Sequence, residues 1–212
     1  QTDRQTDRQT DRQTDRQTRW VTLSKIAKYA TRHINAKSLY KSSYIGVDNL
    51  IPDKGGKRDS DYVPSSGNLK AYQESDILIG NIRPYLKKIW LANNSGGASG
   101  DVLVIRPTDE NIKPKYLYYL LSSDKFFAYN VQFSKGAKMP RGSKDAIMRY
   151  KFQLPPLPVQ EAIVDILDRF EAIVHDIQDG LPAEIALRQK QYEYYRDKLL
   201  TFEPLETQAE AA

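Results

Sequence analysis

The sequence predicts an α+β protein, in which a mixed, β-rich domain precedes a coiled-coil-like helical hairpin or a kinked long helix. Three observations predict this class. Short apolar runs bounded by turn residues recur along residues 43–106 and indicate strands. Three prolines in Leu154-Pro-Pro-Leu-Pro158 then halt the domain. Apolar residues at the spacing of a pairing helix follow.

Changes in composition divide the chain into four segments. These are a repeat segment, a basic domain, an acidic helical region and a tail: residues 1–18, 19–157, 158–202 and 203–212. A chain of 212 residues fits one globular domain with an extension. Because it begins with Gln1 rather than Met, we expect a segment of a longer reading frame.

The first segment repeats Gln-Thr-Asp-Arg four times before Gln17-Thr18. A period of four is close to the helical period of 3.6 residues, yet the repeat has no apolar residue and buries no face by itself. One interpretation is disordered low-complexity sequence. The other is a helical spacer that is ordered only when it continues a packed helix.

The basic domain reads as alternating strands, loops and short helices. A short helix capped by Thr22 or Ser24 is expected within residues 20–29. The strands are predicted at residues 43–48, 76–80, 88–92, 101–106 and 150–154. The loops are predicted at residues 55–56, 67–68 and 95–100. One or two amphipathic helices are predicted within residues 115–130.

The acidic region begins as a helix at Pro158 with Glu161 in its first turn. Its apolar residues recur at intervals of 4, 3, 4, 3 and 4, the seam of a coiled coil: Val159, Ile163, Ile166, Phe170, Ile173 and Ile177. The stop-and-restart signal Asp179-Gly-Leu-Pro182 follows. A second apolar series then continues the predicted pairing interface out of phase: Ile185, Tyr192, Tyr195 and Leu199.

Charge is distributed unevenly between the segments. The chain carries a net charge of +5, but residues 19–157 hold 23 Lys or Arg against 11 Asp or Glu, and residues 158–212 hold 5 against 12. A positive field favours a polyanion, of which nucleic acid is the commonest. The acidic segment would be repelled by DNA and is better suited to a protein partner.

The chain lacks the residues that several classes of function require. The chain has no cysteine, which excludes disulfides and thiolate zinc sites and fits a reducing, cytoplasmic location. The chain has no run of about 18 apolar residues, so no membrane span is predicted, and no signal peptide is visible. His33 and His175 have no ligand spacing, and phosphate-loop, dinucleotide and nucleophile-elbow motifs are missing. We therefore expect neither catalysis nor a metal or cofactor in this chain.

The strongest candidate for contacting DNA is the Gly-rich stretch of residues 130–144. Its cations neutralise phosphates, arginine also forks onto guanine, and two polar side chains add contacts to bases: Lys135, Lys138, Arg141, Lys144, Ser134 and Gln132. Asp145 is the acidic residue that is near them in sequence. The competing interpretation is a solvated loop whose charges contact nothing.

A second basic patch follows the strand that ends at Gly80. It contains Asn81, Arg83, Lys87 and Lys88. Asn81 has the chemistry to read adenine, but an asparagine there could equally close a turn. A weaker candidate is the pair Lys57-Arg58 in the loop after Pro52.

Several stretches together resemble the specificity subunit of type I restriction-modification systems. The resemblance rests on three C-terminal motifs, residues 154–164, 180–185 and 191–200, supported by residues 76–83 and 97–101. It covers about residues 19–202. Such subunits usually contain two target-recognition domains, each followed by a helical spacer, and this chain resembles one half of that arrangement.

The resemblance implies DNA recognition without catalysis. The domain would read one half of a split target in double-stranded DNA. The helices would pair antiparallel with a second half-subunit or with another copy of the chain. Methyltransferase subunits would bind S-adenosylmethionine and perform the chemistry, and a restriction subunit would complete the complex. The repeats of residues 1–18 would set the distance between two recognition domains.

Two other functions remain open from the sequence. The chain could be a free-standing, dimeric DNA-binding or regulatory protein that pairs through Val159–Ile177 without a methyltransferase. It could also be an assembly protein whose basic domain binds another partner. Salt dependence distinguishes these, because an affinity that depends on phosphate contacts falls steeply as salt rises.

Overall fold

The computed structural model describes residues 18–171. Within this range, residues 18–164 belong to one compact unit and residues 165–171 belong to a second. No helix within the described range is long and apolar enough to cross a bilayer. The prediction of a mixed α/β domain is confirmed, whereas most of the predicted coiled-coil hairpin lies outside the described residues.

Ten strands and five α-helices occur within residues 18–171. The strands are β1 Arg19–Thr22, β2 Ala27–Tyr29, β3 His33–Asn35, β4 Tyr44–Ile45, β5 Asn68–Tyr72, β6 Ile77–Gly80, β7 Ile89–Leu91, β8 Gly96–Ala98, β9 Val102–Pro107 and β10 Lys151–Leu154. The helices are α1 Leu23–Ile26, α2 Pro114–Leu121, α3 Asp124–Gln132, α4 Lys144–Arg149 and α5, whose described part is residues 157–171.

The central sheet has the strand order β2-β9-β6-β7, and every pairing in it is antiparallel. Both of its faces are buried. Ile77 and Ile79 of β6 enter one apolar cluster, and Leu78 between them enters the other. Residues 103 and 105 of β9 likewise alternate with residues 102 and 104. A strand covered on both faces needs apolar residues at every position, which explains the continuous apolar runs in the sequence.

A second sheet has the order β3-β5-β8-β4, with β8 parallel to β4 and antiparallel to β5. The prediction of a loop at residues 95–100 is therefore wrong. Gly96 explains why the sequence misleads, because a Cβ there would lie 1.9 Å from the Ser43 carbonyl oxygen. Glycine is required by the close approach of two strands, but it carries no side chain that would signal a strand.

The ends of the domain pair with each other. Strand β1 runs antiparallel to β10, with Arg19 opposite Leu154, so the strand predicted at residues 150–154 is confirmed. The helix predicted within residues 20–29 is only the single turn α1, flanked by β1 and β2. Thr22 occupies its N-cap position without a capping hydrogen bond from its side chain, which instead pairs with the Ser24 hydroxyl at 3.1 Å.

Helices α2 and α3 confirm the amphipathic helices predicted within residues 115–130. The Ser123 hydroxyl accepts a hydrogen bond from the Phe126 amide and so caps α3. Phe126 and Phe127 are buried with Leu117 in the larger apolar cluster. Helix α4 is not predicted by the sequence, since its six residues are too few for a periodic pattern.

A buried ion pair connects neighbouring strands of the central sheet. Arg106 of β9 donates from Nε and Nη2 to the two carboxylate oxygens of Asp76 at 2.8 and 2.6 Å. Asp76 is 1% exposed and also accepts the Gln73 amide. The hydrogen bond to Asp76 is the main reason that the pKa of Arg106 is raised. The pair is thus satisfied on both sides, as a buried charge requires.

The proline-rich junction is fixed to the domain by Gln160, which is fully buried. Its Nε2 donates to the carbonyls of Asn111 and Pro155, both at 2.8 Å, and its Oε1 accepts the Lys113 amide at 2.9 Å. Lys113 also forms an ion pair with Glu161 at 2.6 Å. These contacts connect the first turn of α5 to the loop before α2.

Candidate nucleic-acid interface

The two basic stretches predicted from the sequence meet on one surface. The Arg83 amide donates to the Pro140 carbonyl at 2.8 Å, and Ile82 forms a β-bridge with Arg141. The Gly142 amide also donates to the Asn81 carbonyl at 3.1 Å. We call the exposed cations of these two segments the basic surface: Arg83, Lys135, Lys138, Arg141 and Lys144.

The loop of this surface is shorter than the sequence suggests, because Gln132 ends α3 and Lys144 begins α4. Its base is closed by two hydrogen bonds, from the Lys135 amide to the Arg141 carbonyl at 2.9 Å and from the Arg141 amide to the Lys135 carbonyl at 2.8 Å. The Ser134 hydroxyl donates to the Val131 carbonyl at 2.7 Å. The loop is therefore held at its base, and Lys138 lies beyond the bridge, near its tip.

Arg141 has an acidic partner that sequence proximity does not reveal. Its Nε donates to Asp101 Oδ1 at 3.2 Å, and the two side chains are 54% and 44% exposed. Asp101 accepts the Asn81 amide with its own carbonyl, which places it beside the second basic segment. The expectation that Asp145 would be the acidic group near these cations is thus corrected.

Two asparagine side chains lie beneath the loop. Asn81 and Asn130 are 6% and 1% exposed. Asn81 Oδ1 and both polar atoms of the Asn130 amide have no hydrogen-bond partner within residues 18–171. A Cβ at Gly142 would lie 2.5 Å from Asn130 Oδ1 and 2.9 Å from Asn81 Oδ1. Because Asn81 is buried, no base edge reaches its amide in this conformation.

Lys87 and Lys88 are less available than Arg83. Lys88 is buried, and its Nζ donates to the Val47 carbonyl at 2.8 Å. Lys87 and Lys54 both contact Asp124 Oδ1, at 2.9 and 3.0 Å. Hydrogen bonds from Lys87 and Lys54 to this carboxylate hold the pKa of Asp124 below its usual range. Burial thus removes Lys88 from solvent, while Lys87 shares one exposed carboxylate with Lys54.

The third predicted patch divides between its two members. Lys57 donates to Asp59 at 2.7 Å and to the Ser42 carbonyl at 3.0 Å, and its Nζ lies 5.6 Å from the centre of the Trp90 ring. Arg58 beside it is exposed. We conclude that Arg58 is the member of this pair that is open to a ligand.

A half-buried tyrosine fixes the far end of the basic surface. The Tyr29 hydroxyl donates to the Lys144 carbonyl at 2.9 Å. Burial, and then the nearby Asp145 carboxylate, raise the pKa of Tyr29 above its ordinary value. The phenol therefore stays protonated near neutral pH and keeps donating, which holds the first residue of α4 in place.

The predicted helix-pairing interface is described only at its start. Val159 is half-buried, and Ile163 packs against the larger apolar cluster of the domain. Ile166 and Phe170 are 53% and 63% exposed. The remaining predicted members lie outside the described residues: Ile173, Ile177, Ile185, Tyr192, Tyr195 and Leu199. The first part of the predicted pairing interface therefore contacts the domain, because Ile163 packs against its apolar core.

The described residues contain no group of three His, Asp or Glu side chains placed to hold a metal ion. Sequence reasoning also missed three polar residues that organise the structure, namely Asp101, Asp124 and Gln160. Each acts through partners that are distant in the chain, 40 residues away for Asp101 and Arg141. Gln160 lies in the proline-rich motif and Asp101 lies in residues 97–101, so both stood in stretches that support the resemblance, whereas Asp124 did not.

The sequence matches a protein family over residues 61–187, more than half of the chain, and that family is described as the type I restriction modification DNA specificity domain. The chain belongs to this family. The resemblance expected from the C-terminal motifs is therefore confirmed, as is the prediction of a specificity component rather than a catalytic chain.

Named relatives and solved structures agree with the family. The specificity subunit of the type I restriction enzyme EcoR124I/EcoR124II from Escherichia coli is 39% identical over 98 residues, which cover 46% of this chain and 24% of that protein. The HsdS subunit from Thermoanaerobacter tengcongensis has the same fold, with a TM-score of 0.62 at 20% identity. That match covers 92% of this chain and 52% of HsdS.

A second solved structure, which concerns complex assembly and conformational transition of the type I restriction-modification system, matches with a TM-score of 0.56 at 20% identity. It covers 92% of this chain and 51% of that one. The chain therefore spans about half the length of the solved structures and a smaller share of the E. coli relative.

Proposed function

We propose that this chain reads one half of a bipartite target in double-stranded DNA, as a specificity component of a type I restriction-modification system. The observation that carries the proposal is the joining of two basic segments through Arg83, Pro140 and Arg141. Five exposed cations then lie on one folded surface although they are spread over 62 positions of the chain, from Arg83 to Lys144. A patch of this kind is the electrostatic footprint of a nucleic-acid site.

The proposed contacts divide by chemistry. Lys135, Lys138 and Lys144 suit phosphates, since an ammonium is a compact point charge. Gln132 and Ser134 at the base of the loop add polar contacts, and Arg83 and Arg58 extend the surface. Lys57, Lys87 and Lys88 are left out because their ammonium groups are already bound within the domain.

The remaining assignments rest on the family. Residues 19–157 would be the target-recognition domain, and residues 158–202 would pair antiparallel with a second spacer helix and dock methyltransferase subunits. Those subunits would carry S-adenosylmethionine, and a restriction subunit would complete the complex in the cytoplasm. The repeats of residues 1–18 would form a spacer, each unit adding about 6 Å if it is helical.

The test measures DNA affinity against salt concentration by fluorescence anisotropy. In the test variant, Lys135, Lys138, Arg141 and Lys144 are replaced by alanine. The matched control replaces Lys25, Lys37, Lys41 and Lys125, four exposed lysines on other elements, and so removes the same formal charge. Each lost phosphate contact lowers the slope of log affinity against log salt by about 0.9.

The proposal predicts that the slope of the test variant falls by about 3, because three of its four replaced cations contact phosphates, whereas the slope of the control stays near that of the wild type. Equal losses in the two variants would mean that only net charge matters, and the assigned surface would be wrong. Both variants should melt like the wild type, since all eight side chains are exposed.

A further inference from the structure

Arg141 is held through both its backbone and its side chain. It exchanges two hydrogen bonds with Lys135 across the base of the loop and bridges to Ile82 of the neighbouring segment. The next residue, Gly142, is buried against Asn81 and Asn130. Lys138 has no such restraint, since it lies beyond the bridge.

The side chain of Arg141 is restrained as well. Its Nε donates to Asp101 Oδ1 at 3.2 Å, whereas its Nη1 and Nη2 make no hydrogen bond to residues 18–171. Within the same range, neither Lys135 nor Lys138 has a side-chain partner. Within the described residues, the Arg141 guanidinium is thus oriented by a side-chain hydrogen bond, whereas the Lys135 and Lys138 ammonium groups are not.

A guanidinium that is held by a carboxylate and an ammonium that has no such partner suit different parts of DNA. The two Nη groups present parallel donors that match O6 and N7 of guanine in the major groove. Holding Nε on a carboxylate leaves that fork open and reduces the entropy lost on binding. As an exposed ion pair, the contact contributes little to stability, which leaves orientation of the guanidinium as its main effect.

We propose that Arg141 reads a guanine through its Nη groups and that Asp101 is the residue that positions it. The inference rests on the proposed function, since it assumes that this surface contacts DNA. It makes Arg141 a specificity determinant, while Lys135 and Lys138 contribute affinity that is independent of sequence.

The test begins with the DNA motif that the chain directs when it is coexpressed with a methyltransferase subunit. Anisotropy then compares the motif with duplexes in which each G·C pair is replaced in turn. Wild type, Arg141→Lys, Asp101→Asn and Lys138→Ala are measured on the same duplexes. Arg141→Lys keeps the charge but loses the fork, so phosphate contact alone would be preserved.

At one G·C position, we expect the wild type to discriminate by about 5- to 150-fold and Arg141→Lys to lose that preference. Asp101→Asn should lose part of it at the same position. Lys138→Ala should weaken binding to all duplexes equally. Unchanged discrimination in Arg141→Lys would overturn the guanine assignment, and unchanged discrimination in Asp101→Asn would overturn its positioning role.

The same measurements separate this inference from the proposed function. If Lys138→Ala weakens binding but Arg141→Lys retains the full preference, the surface binds DNA and only the guanine assignment fails. If the wild type discriminates at no position, both fail. Because Asp101→Asn changes a half-exposed side chain by one functional group, it keeps the test decisive even if an Arg141 variant folds poorly.

Discussion

Three single residues have roles that no other residue type fills in the same way: Asp76, Gly142 and Arg141. Asp76 is a buried carboxylate held by a fork of two hydrogen bonds. Gly142 leaves room for two buried amides. Arg141 is fixed by backbone bridges and by Asp101. The first residue determines stability, and the other two determine the shape of the surface that would contact DNA.

Replacing Asp76 by alanine should destabilise the domain by about 3 to 5 kcal/mol, because the Arg106 charge would stay partly buried without its partner. Chemical denaturation measures the free energy of unfolding. The control is Asp59→Ala, which removes a carboxylate that is 63% exposed and leaves Lys57 its hydrogen bond to the Ser42 carbonyl, so it should cost about 1 kcal/mol. Equal losses for the two variants would contradict the importance of the buried fork.

Replacing Gly142 by alanine should cost about 1 to 3 kcal/mol, because the added methyl group would meet two buried amide oxygens. The loop base would move, so DNA affinity should fall together with stability. Gly100→Ala is the matched control, since no atom lies within 4 Å of its added Cβ. A Gly142→Ala variant with wild-type stability and affinity would refute this account of the loop base.

At the scale of elements, the sequence predicts strands and helices where apolar pattern and burial agree. Strands β6, β7 and β9 carry continuous apolar runs because both faces of their sheet are covered, and all three were predicted. Strand β8 was missed because two of its three residues are glycines. Helix α4 was missed because six residues carry too little periodicity.

The junction element gives a prediction of its own. Gln160→Ala should destabilise the protein by about 2 to 4 kcal/mol, because the Lys113 amide and two carbonyls would lose a buried partner. Gln153→Ala on the exposed face of β10 is the control and should be nearly neutral. Thermal and chemical denaturation both report the difference, and a neutral Gln160→Ala would mean that the junction does not depend on this side chain.

The ion pairs around Asp124 predict a dependence on pH. Their lysines hold the pKa of this carboxyl below its ordinary value of 3.8, so the stabilisation is complete above that value. It is lost as pH falls through the lower, folded pKa. The melting temperature of Asp124→Asn should therefore fall less between pH 5 and pH 2 than that of the wild type. An identical fall in the two proteins would contradict the role of these ion pairs in stability.

At the scale of the whole molecule, the sequence predicted the basic domain, the proline-rich junction and the family. It also indicated all five cations of the basic surface as candidate DNA contacts, because clustered charge is visible along the chain. It did not predict that residues 80–88 and 130–144 would join, since pairing between distant segments leaves no local pattern. Asp101 was missed for the same reason, as its partner Arg141 is brought to it only by the fold.

On the proposed function, this chain selects a DNA sequence through the basic surface. The most direct measurement maps methylated adenines in cells that coexpress the chain with a methyltransferase subunit of a type I system. We predict a split motif that is lost when Lys135, Lys138, Arg141 and Lys144 become alanine and is kept in the four-lysine control. The same motif in both variants, or no motif with the wild type, would contradict the account.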